Sequence, residues 1–196
     1  MTARRDTAVE LTVVSRSDAA MGVAVIEFAA ASGRELPRWQ PGAHIDLMLP
    51  TGDVRQYSLN GEPGAATWRI GVLREAGGRG GSVWVHDNLI VGATVHVAGP
   101  RNHFEFSPDK GTRYLFIAGG IGITPIAAMA RAAAKAGVEY RIEYAGRSRS
   151  SMALLDELVD AHGDRITLHP SDESDRLDLA ALFSDLPPFT TTYCCG

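Results

Sequence analysis

The sequence lacks the features that would place it in a membrane or on nucleic acid. Its 196 residues contain no apolar run of about eighteen residues, the length that a membrane-spanning helix needs. The formal net charge is -4, so no general attraction to nucleic acid or anionic lipid is expected. We therefore expect a cytoplasmic protein with neither a membrane nor a nucleic acid as its partner.

Cysteine is scarce, and histidine shows no metal-binding pattern. The only two cysteines are neighbours, Cys194 and Cys195, and adjacent cysteines rarely form a disulfide with good geometry. Free thiols fit a reducing compartment. The six histidines are scattered without the spacing of a ligand set. We expect no metal site in this chain.

Two successive hydrophobic patterns divide the chain. The first hundred or so residues contain short apolar runs separated by turn residues, which is typical of a small antiparallel β-barrel or sandwich. From Arg113 onward, apolar strands alternate with helical segments, which predicts a doubly wound parallel sheet. A polar segment at residues 107–111 separates the patterns. We predict a barrel domain at residues 1–107 and an α/β domain at residues 108–196.

A glycine-rich segment at residues 119–125 follows the first predicted strand of the second domain and precedes a helix. Glycine lets the backbone turn sharply and approach a ligand closely, Thr124 is predicted to cap the helix, and Pro125 suits its first turn. The exposed amides favour a phosphate or a nicotinamide edge. The candidate residues are Gly120, Gly122, Thr124 and Pro125. A plain turn is the alternative.

Residues 55–59 form a second candidate site on a predicted barrel strand. Arg55 and Tyr57 share one face of the strand, and Gln56 and Ser58 share the other. A cation, a flat ring and a hydroxyl at close quarters suit a phosphorylated aromatic ring. The alternative is that they are ordinary surface and core residues.

Glycines at residues 77–81 precede a short predicted helix of the barrel domain. Ser82 is predicted to cap this helix, and the amides of Gly80, Gly81 and Ser82 form an anion site with Arg79 beside them. A flexible hairpin loop is the alternative. One phosphate-type site in each domain suggests two nucleotide cofactors.

Residues 147–150 follow the second strand of the α/β domain, where such domains often bind the adenosine ribose. Arg147 and Ser148 are candidates for binding a 2′-phosphate, whereas an acidic residue there would favour NADH. Alternatively, Ser150 or Ser151 caps the following helix and the arginines are solvated.

Taken in order, five segments resemble the ferredoxin reductase superfamily, and within it the phthalate dioxygenase reductase and vanillate O-demethylase reductase group. They are residues 55–59, 80–82, 99–104, 119–125 and 193–196. The resemblance implies a Greek-key barrel that holds FMN, with FAD as the alternative. Arg55 would contact the phosphate, Tyr57 the isoalloxazine, and Ser58 flavin N5, while the loop of Gly80 to Ser82 closes on the phosphate.

The same resemblance implies that the α/β domain binds NAD(P)H. Gly120, Gly122, Thr124 and Pro125 would form its loop, and Cys195 would lie beside the nicotinamide. Hydride would pass from nicotinamide C4 to flavin N5, so Ser58 and Cys195 are the candidate catalytic residues. The resembling group generally uses NADH, which we expect here, with NADPH left open.

Members of this group continue with a helix, a strand and a plant-type [2Fe-2S] domain that has four cysteines. This sequence stops at Gly196 and has two cysteines, so we expect a form truncated before that domain. Electrons would pass to a ferredoxin domain or a ferredoxin, and then to an oxygenase that degrades aromatic compounds. The alternatives are a stand-alone reductase and a non-catalytic, nucleotide-binding regulatory protein.

Overall fold

The structure, a computed structural model, describes residues 8–196. The first seven residues, which the predicted barrel domain includes, lie outside the described residues. The chain divides into two compact units, of which the first ends at Glu105 and the second is Phe106–Gly196. Phe106 belongs to the second unit because its ring packs edge-on against three aromatic rings there, with centroids 5.1 to 5.3 Å away: Tyr114, Phe116 and Tyr193.

The first unit is a curled sheet of six antiparallel strands. The strands are β1 (Val9–Ala20), β2 (Val23–Ala30), β3 (Ala43–Met48), β4 (Val54–Ser58), β5 (Trp68–Leu73) and β6 (Thr94–Asn102). Their order in the sheet is β4-β3-β6-β1-β2-β5. A bridge between Leu59 and Ile70 joins the two ends of that order, so the sheet curls back on itself. This confirms the predicted antiparallel barrel.

The barrel core comes from side chains that alternate along the strands. Ile45 and Leu47 of β3, Ile26 and Phe28 of β2, and Ile70 of β5 are all fully buried. Burying each such side chain contributes about 1.5 to 3 kcal/mol relative to leaving it in water. One helix, α1 (Gly81–Asn88), lies between β5 and β6 along the chain.

The second unit is a parallel sheet with helices, as the alternating pattern predicts. Its strands are β7 (Arg113–Gly119), β8 (Tyr140–Gly146), β9 (Ile166–Pro170) and β10 (Thr190–Cys195), in the order β10-β7-β8-β9. Its helices are α2 (Ile123–Ala136), α3 (Leu155–His162) and α4 (Leu179–Ser184). Because all four strands are parallel, the loops that follow them meet at one edge, where α/β folds bind their ligands.

Helix α2 packs on the sheet through small side chains. Ala127, Ala130 and Ala133 are fully buried, and α2 contacts β7, β8 and β10. Alanine brings the helix axis close to the strands, and this fixes the start of α2 beside the ends of β7 and β10.

None of the helices in residues 8–196 combines the length and apolar character that crossing a membrane requires.

Two predicted helix caps are wrong. Helix α1 begins at Gly81, with Gly80 in the left-handed region at φ 77°, so Ser82 lies inside the helix. The Ser82 hydroxyl instead accepts a hydrogen bond from the amide of Glu75, at 3.0 Å. Thr124 also lies inside its helix, because a short 3₁₀ turn at Gly120–Gly122 runs directly into α2.

Candidate functional site

Arg55 and Tyr57 lie on β4 beside the barrel core. They stand opposite the buried Leu47 and Ile45 of β3. The Arg55 guanidinium donates to the carbonyl oxygens of Val54 and Arg79, at 3.0 and 3.4 Å. Burial raises the pKa of Tyr57 to about 12, so its phenol stays neutral and offers an uncharged ring surface at neutral pH.

The Arg55 side chain also reaches the start of α1. A Cβ carbon at Gly81 would stand 2.8 Å from the Cγ of Arg55, so any larger residue there would displace the Arg55 side chain. The first amides of a helix have no acceptor within it, and they carry the positive end of the helix dipole. Arg55 and the amides of Gly81 and Ser82 therefore form one cradle of the kind that binds phosphate. The Arg55 guanidinium also lies 3.5 Å from a carboxylate oxygen of the exposed Asp53.

The other face of β4 belongs to a polar network that the sequence analysis missed. The Gln56 amide donates to a carboxylate oxygen of Asp46 at 3.0 Å, and Arg101 forms an ion pair with the same carboxylate. Asp46 is 1% exposed. The side chain of Gln56 is thus bound to Asp46 and does not join the cradle. The sequence feature that indicates such a network is Asp46, an acidic residue inside the apolar segment 45–49.

Ser58, a candidate catalytic residue, ends β4 directly opposite His44 of β3. Burial is the main cause that lowers the pKa of His44, so its imidazole is predominantly neutral at neutral pH. Ser58 is half-buried, and its side chain lies on the opposite face of β4 from that of Tyr57, its neighbour on the strand.

In the second unit, the glycine-rich loop packs against the end of β10. A Cβ carbon at Gly122 would stand 2.7 Å from the amide nitrogen of Gly196 and would also meet the carbonyl of Cys195. The loop and Cys195 are therefore in direct backbone contact. Burial raises the pKa of the Cys195 thiol, so Cys195 is a neutral thiol and not a nucleophilic thiolate.

Thr124 and Pro125 support this loop from inside α2. The Thr124 hydroxyl donates to the carbonyl oxygen of Ile121 at 3.0 Å, and both Thr124 and Pro125 are buried. Their side chains thus stabilise the loop from the helix side, while the backbone of Gly122 contacts the end of β10.

A cavity of about 510 Å³ opens at the carboxyl ends of the parallel strands. Gly119, Gly120 and Cys195 line it. Arg147, His169 and Arg176 also line it. The volume lies within the range typical of small-molecule and cofactor sites. The structure thus places Gly120, Cys195 and Arg147, three of the predicted binding residues, in one cavity.

Ser148 has a different role from its neighbour Arg147. Ser148 and Ser151 form a capping box on the short 3₁₀ turn Arg149–Ser151. The suggestion that Ser150 or Ser151 caps the following helix is wrong, because α3 begins only at Leu155. Ser148 therefore stabilises the turn Arg149–Ser151, whereas Arg147 lines the cavity.

The barrel followed by a parallel α/β sheet is the fold of the ferredoxin reductase class. Among curated proteins, the chain is 43% identical over 168 residues to the toluene-4-sulfonate monooxygenase system reductase subunit of Comamonas testosteroni, covering 84% of this chain and 53% of that protein. It is 38% identical over 193 residues to the vanillate O-demethylase oxidoreductase of a Pseudomonas species, covering 96% and 60%. No family model matches the chain.

Two solved structures superpose closely. Phthalate dioxygenase reductase, described as a modular structure for electron transfer from pyridine nucleotides to [2Fe-2S], matches with a TM-score of 0.90 and 30% identity, covering 99% of this chain and 62% of that one. An intact type IV self-sufficient cytochrome P450 monooxygenase matches with a TM-score of 0.91 and 47% identity, covering 96% and 25%.

The chain is therefore a homologue of the oxidoreductases that serve as reductase components of oxygenase systems, and it has their ferredoxin reductase-type fold. It spans 53% and 60% of the lengths of the two curated relatives. Structural neighbours of this type bind flavin and nicotinamide nucleotides, which agrees with one candidate site in each unit.

Proposed function

We propose that this chain is the flavin- and nucleotide-binding half of an oxygenase reductase. It takes hydride from NADH or NADPH onto FMN, and the electrons then pass through a [2Fe-2S] centre to an oxygenase that acts on an aromatic acid. The observation that carries the proposal is the cradle in which Arg55 lies on the backbone of Gly81 at the start of α1.

The residues present fit FMN. Arg55 and the amides of Gly81 and Ser82 supply the cation and the donors that a terminal phosphate requires. Tyr57 would lie against the flavin ring, and the Ser58 hydroxyl would bind N5. Among the described residues of the first unit, Tyr57 is the aromatic residue assigned to this site, and no second ring is assigned to hold an adenine, which favours FMN over FAD.

FMN, when bound, accepts two electrons as hydride and releases them singly. The chain's own part is to hold and orient the two rings. In the second unit, the backbone of Gly120 and Gly122 would approach the nucleotide, and the neutral Cys195 thiol would pack beside the nicotinamide without reacting with it.

The acceptor comes from elsewhere. The two cysteines of the sequence are fewer than the four that a plant-type [2Fe-2S] centre needs, so another domain or a separate ferredoxin would hold the cluster. The chain also resembles one part of a self-sufficient cytochrome P450 monooxygenase. This likeness supports a role for the chain as an electron donor to an oxygenase.

Identifying the flavin tests this assignment. Flavin released by heat from the purified protein should run as FMN on chromatography, in about one equivalent per chain. Recovery of FAD would contradict the assignment of FMN, and a colourless protein that takes up no added flavin would contradict the function.

A further inference from the structure

Two arginine side chains line the cavity of the second unit. Within the described residues, the lining includes Arg147, Arg176 and His169 and no aspartate or glutamate side chain. His169 is held by Glu143, whose carboxylate oxygen lies 2.7 Å from its Nε2, so the two arginines supply the charge of the wall. An aspartate or glutamate at this position in α/β folds accepts hydrogen bonds from the ribose hydroxyls of NADH and repels a 2′-phosphate. This cavity has the opposite charge pattern.

Among residues 8–196, Arg147 and Arg176 differ from the neighbouring arginine in having no acidic partner. Arg149 binds Glu173 through its Nε, at 3.0 and 3.1 Å from the two carboxylate oxygens. Neither Arg147 nor Arg176 forms an ion pair with any residue in the part of the chain that the structure describes. Two guanidinium groups are thus exposed on the cavity wall with their donors available.

Backbone hydrogen bonds hold the loops that carry these arginines together. The amide of Ser171 donates to the carbonyl oxygen of Gly146 at 2.9 Å, and the amide of Asp172 donates to that of Arg147 at 3.1 Å. The ion pair of Arg149 with Glu173 adds a third tether between the same two loops. The loop that leads to Arg176 is therefore fixed beside Arg147.

We propose that Arg147 and Arg176 together form a 2′-phosphate site that makes NADPH the preferred hydride donor over NADH. This inference rests on the proposed function. It reverses the expectation from the sequence, which places NADH ahead of NADPH. Guanidinium groups bind phosphate dianions through paired, charge-assisted hydrogen bonds. Arg176, which no sequence motif marks, is the added specificity-determining residue.

Binding of two adenosine nucleotides to the purified holoprotein tests the site without turnover. Adenosine 2′,5′-bisphosphate and adenosine 5′-monophosphate differ only in the 2′-phosphate, and calorimetry should show at least about tenfold tighter binding of the bisphosphate, the minimum for one charge-assisted contact. Arg176→Ala and Arg147→Ala should each reduce that ratio about tenfold, and Arg176→Lys should keep part of it. Arg113→Ala removes the same charge from the amino end of β7 and should leave the ratio unchanged.

The outcomes separate this inference from the proposed function. Equal binding of the two nucleotides, or a ratio that survives both alanine substitutions, would overturn the 2′-phosphate site while flavin reduction by NADH still supports the function. If neither nucleotide binds and neither NADH nor NADPH reduces the flavin, both the function and the site are wrong.

Discussion

The side chain of Arg55 lies on the backbone of Gly81, so that a Cβ carbon at Gly81 would stand 2.8 Å from the Cγ of Arg55. This contact joins β4, which carries Tyr57 and Ser58, to the amino end of α1. A cation and helix amides are thereby brought together from segments that are 26 residues apart in the sequence.

Gly81→Ala should weaken FMN binding because the new methyl group displaces Arg55 from the cradle. Loss of one charge-assisted phosphate contact costs about 1.5 to 3 kcal/mol, which is at least about tenfold in the dissociation constant. Fluorescence titration of the apoprotein with FMN measures this dissociation constant. Gly77→Ala, where a Cβ carbon meets nothing within 4 Å, is the control, and equal affinities of the two variants would contradict the cradle.

Arg55→Ala should weaken FMN binding by a similar amount, and Arg55→Lys should fall between it and the unmodified protein. Lysine keeps the charge but lacks the planar guanidinium that forms paired hydrogen bonds. Arg34→Ala removes one charge from an exposed loop and should bind FMN normally. If Arg55→Ala retains full flavin occupancy after dialysis, the phosphate lies elsewhere.

Gly122→Ala should impair the response to nicotinamide nucleotides without affecting flavin content. The added methyl group collides with the carbonyl of Cys195 and the amide of Gly196, so the loop must move away from the end of β10. Stopped-flow spectroscopy should show flavin reduction slowed about tenfold or more, in line with the cost of small displacements at a hydride-transfer site. A loss of flavin in this variant would show that the substitution disturbs more than the second unit.

The protein should lose stability as the pH falls below about 6.5, the ordinary pKa of histidine. Burial is the main cause that lowers the pKa of His162, and the Tyr140 hydroxyl lies 2.7 Å from its Nδ1. The unfolded chain therefore binds a proton at a pH where the folded chain does not, and unfolding becomes more favourable in acid. His44 shifts in the same direction.

Thermal unfolding across this pH range tests that dependence. His162→Gln should flatten the fall in melting temperature below about pH 6.5, whereas the matched change His96→Gln, at an exposed position, should not. An unchanged pH profile in His162→Gln would show that the imidazole of His162 does not cause the acid sensitivity.

Much of the fold follows from local patterns in the sequence. The alternation of apolar runs and turns predicts the antiparallel barrel, and the glycine-rich segment after β7 marks the loop that contacts Cys195. Strand lengths are less predictable, since β1 continues through polar residues to Ala20. Those residues pair with β2 in a hairpin, and pairing is a property of two strands, not of one.

The candidate site is predictable only in part because several of its contacts are tertiary. No local pattern shows that Gln56 binds Asp46, or that Arg176 reaches the cavity that Arg147 lines. The cap assigned to Thr124 is wrong for a local reason. The glycines before it form a 3₁₀ turn, which makes the helical segment begin earlier than the side-chain pattern suggests.

The most direct test of the account is an anaerobic titration of the purified, flavin-loaded protein with NADPH and with NADH, followed by the visible absorbance of the flavin. The account predicts a yellow protein whose flavin bleaches fully with about one equivalent of NADPH, whereas NADH must be added in excess for the same bleaching. A flavin that binds but stays oxidised at saturating concentrations of both nucleotides would contradict a reductase and favour a non-catalytic nucleotide-binding protein.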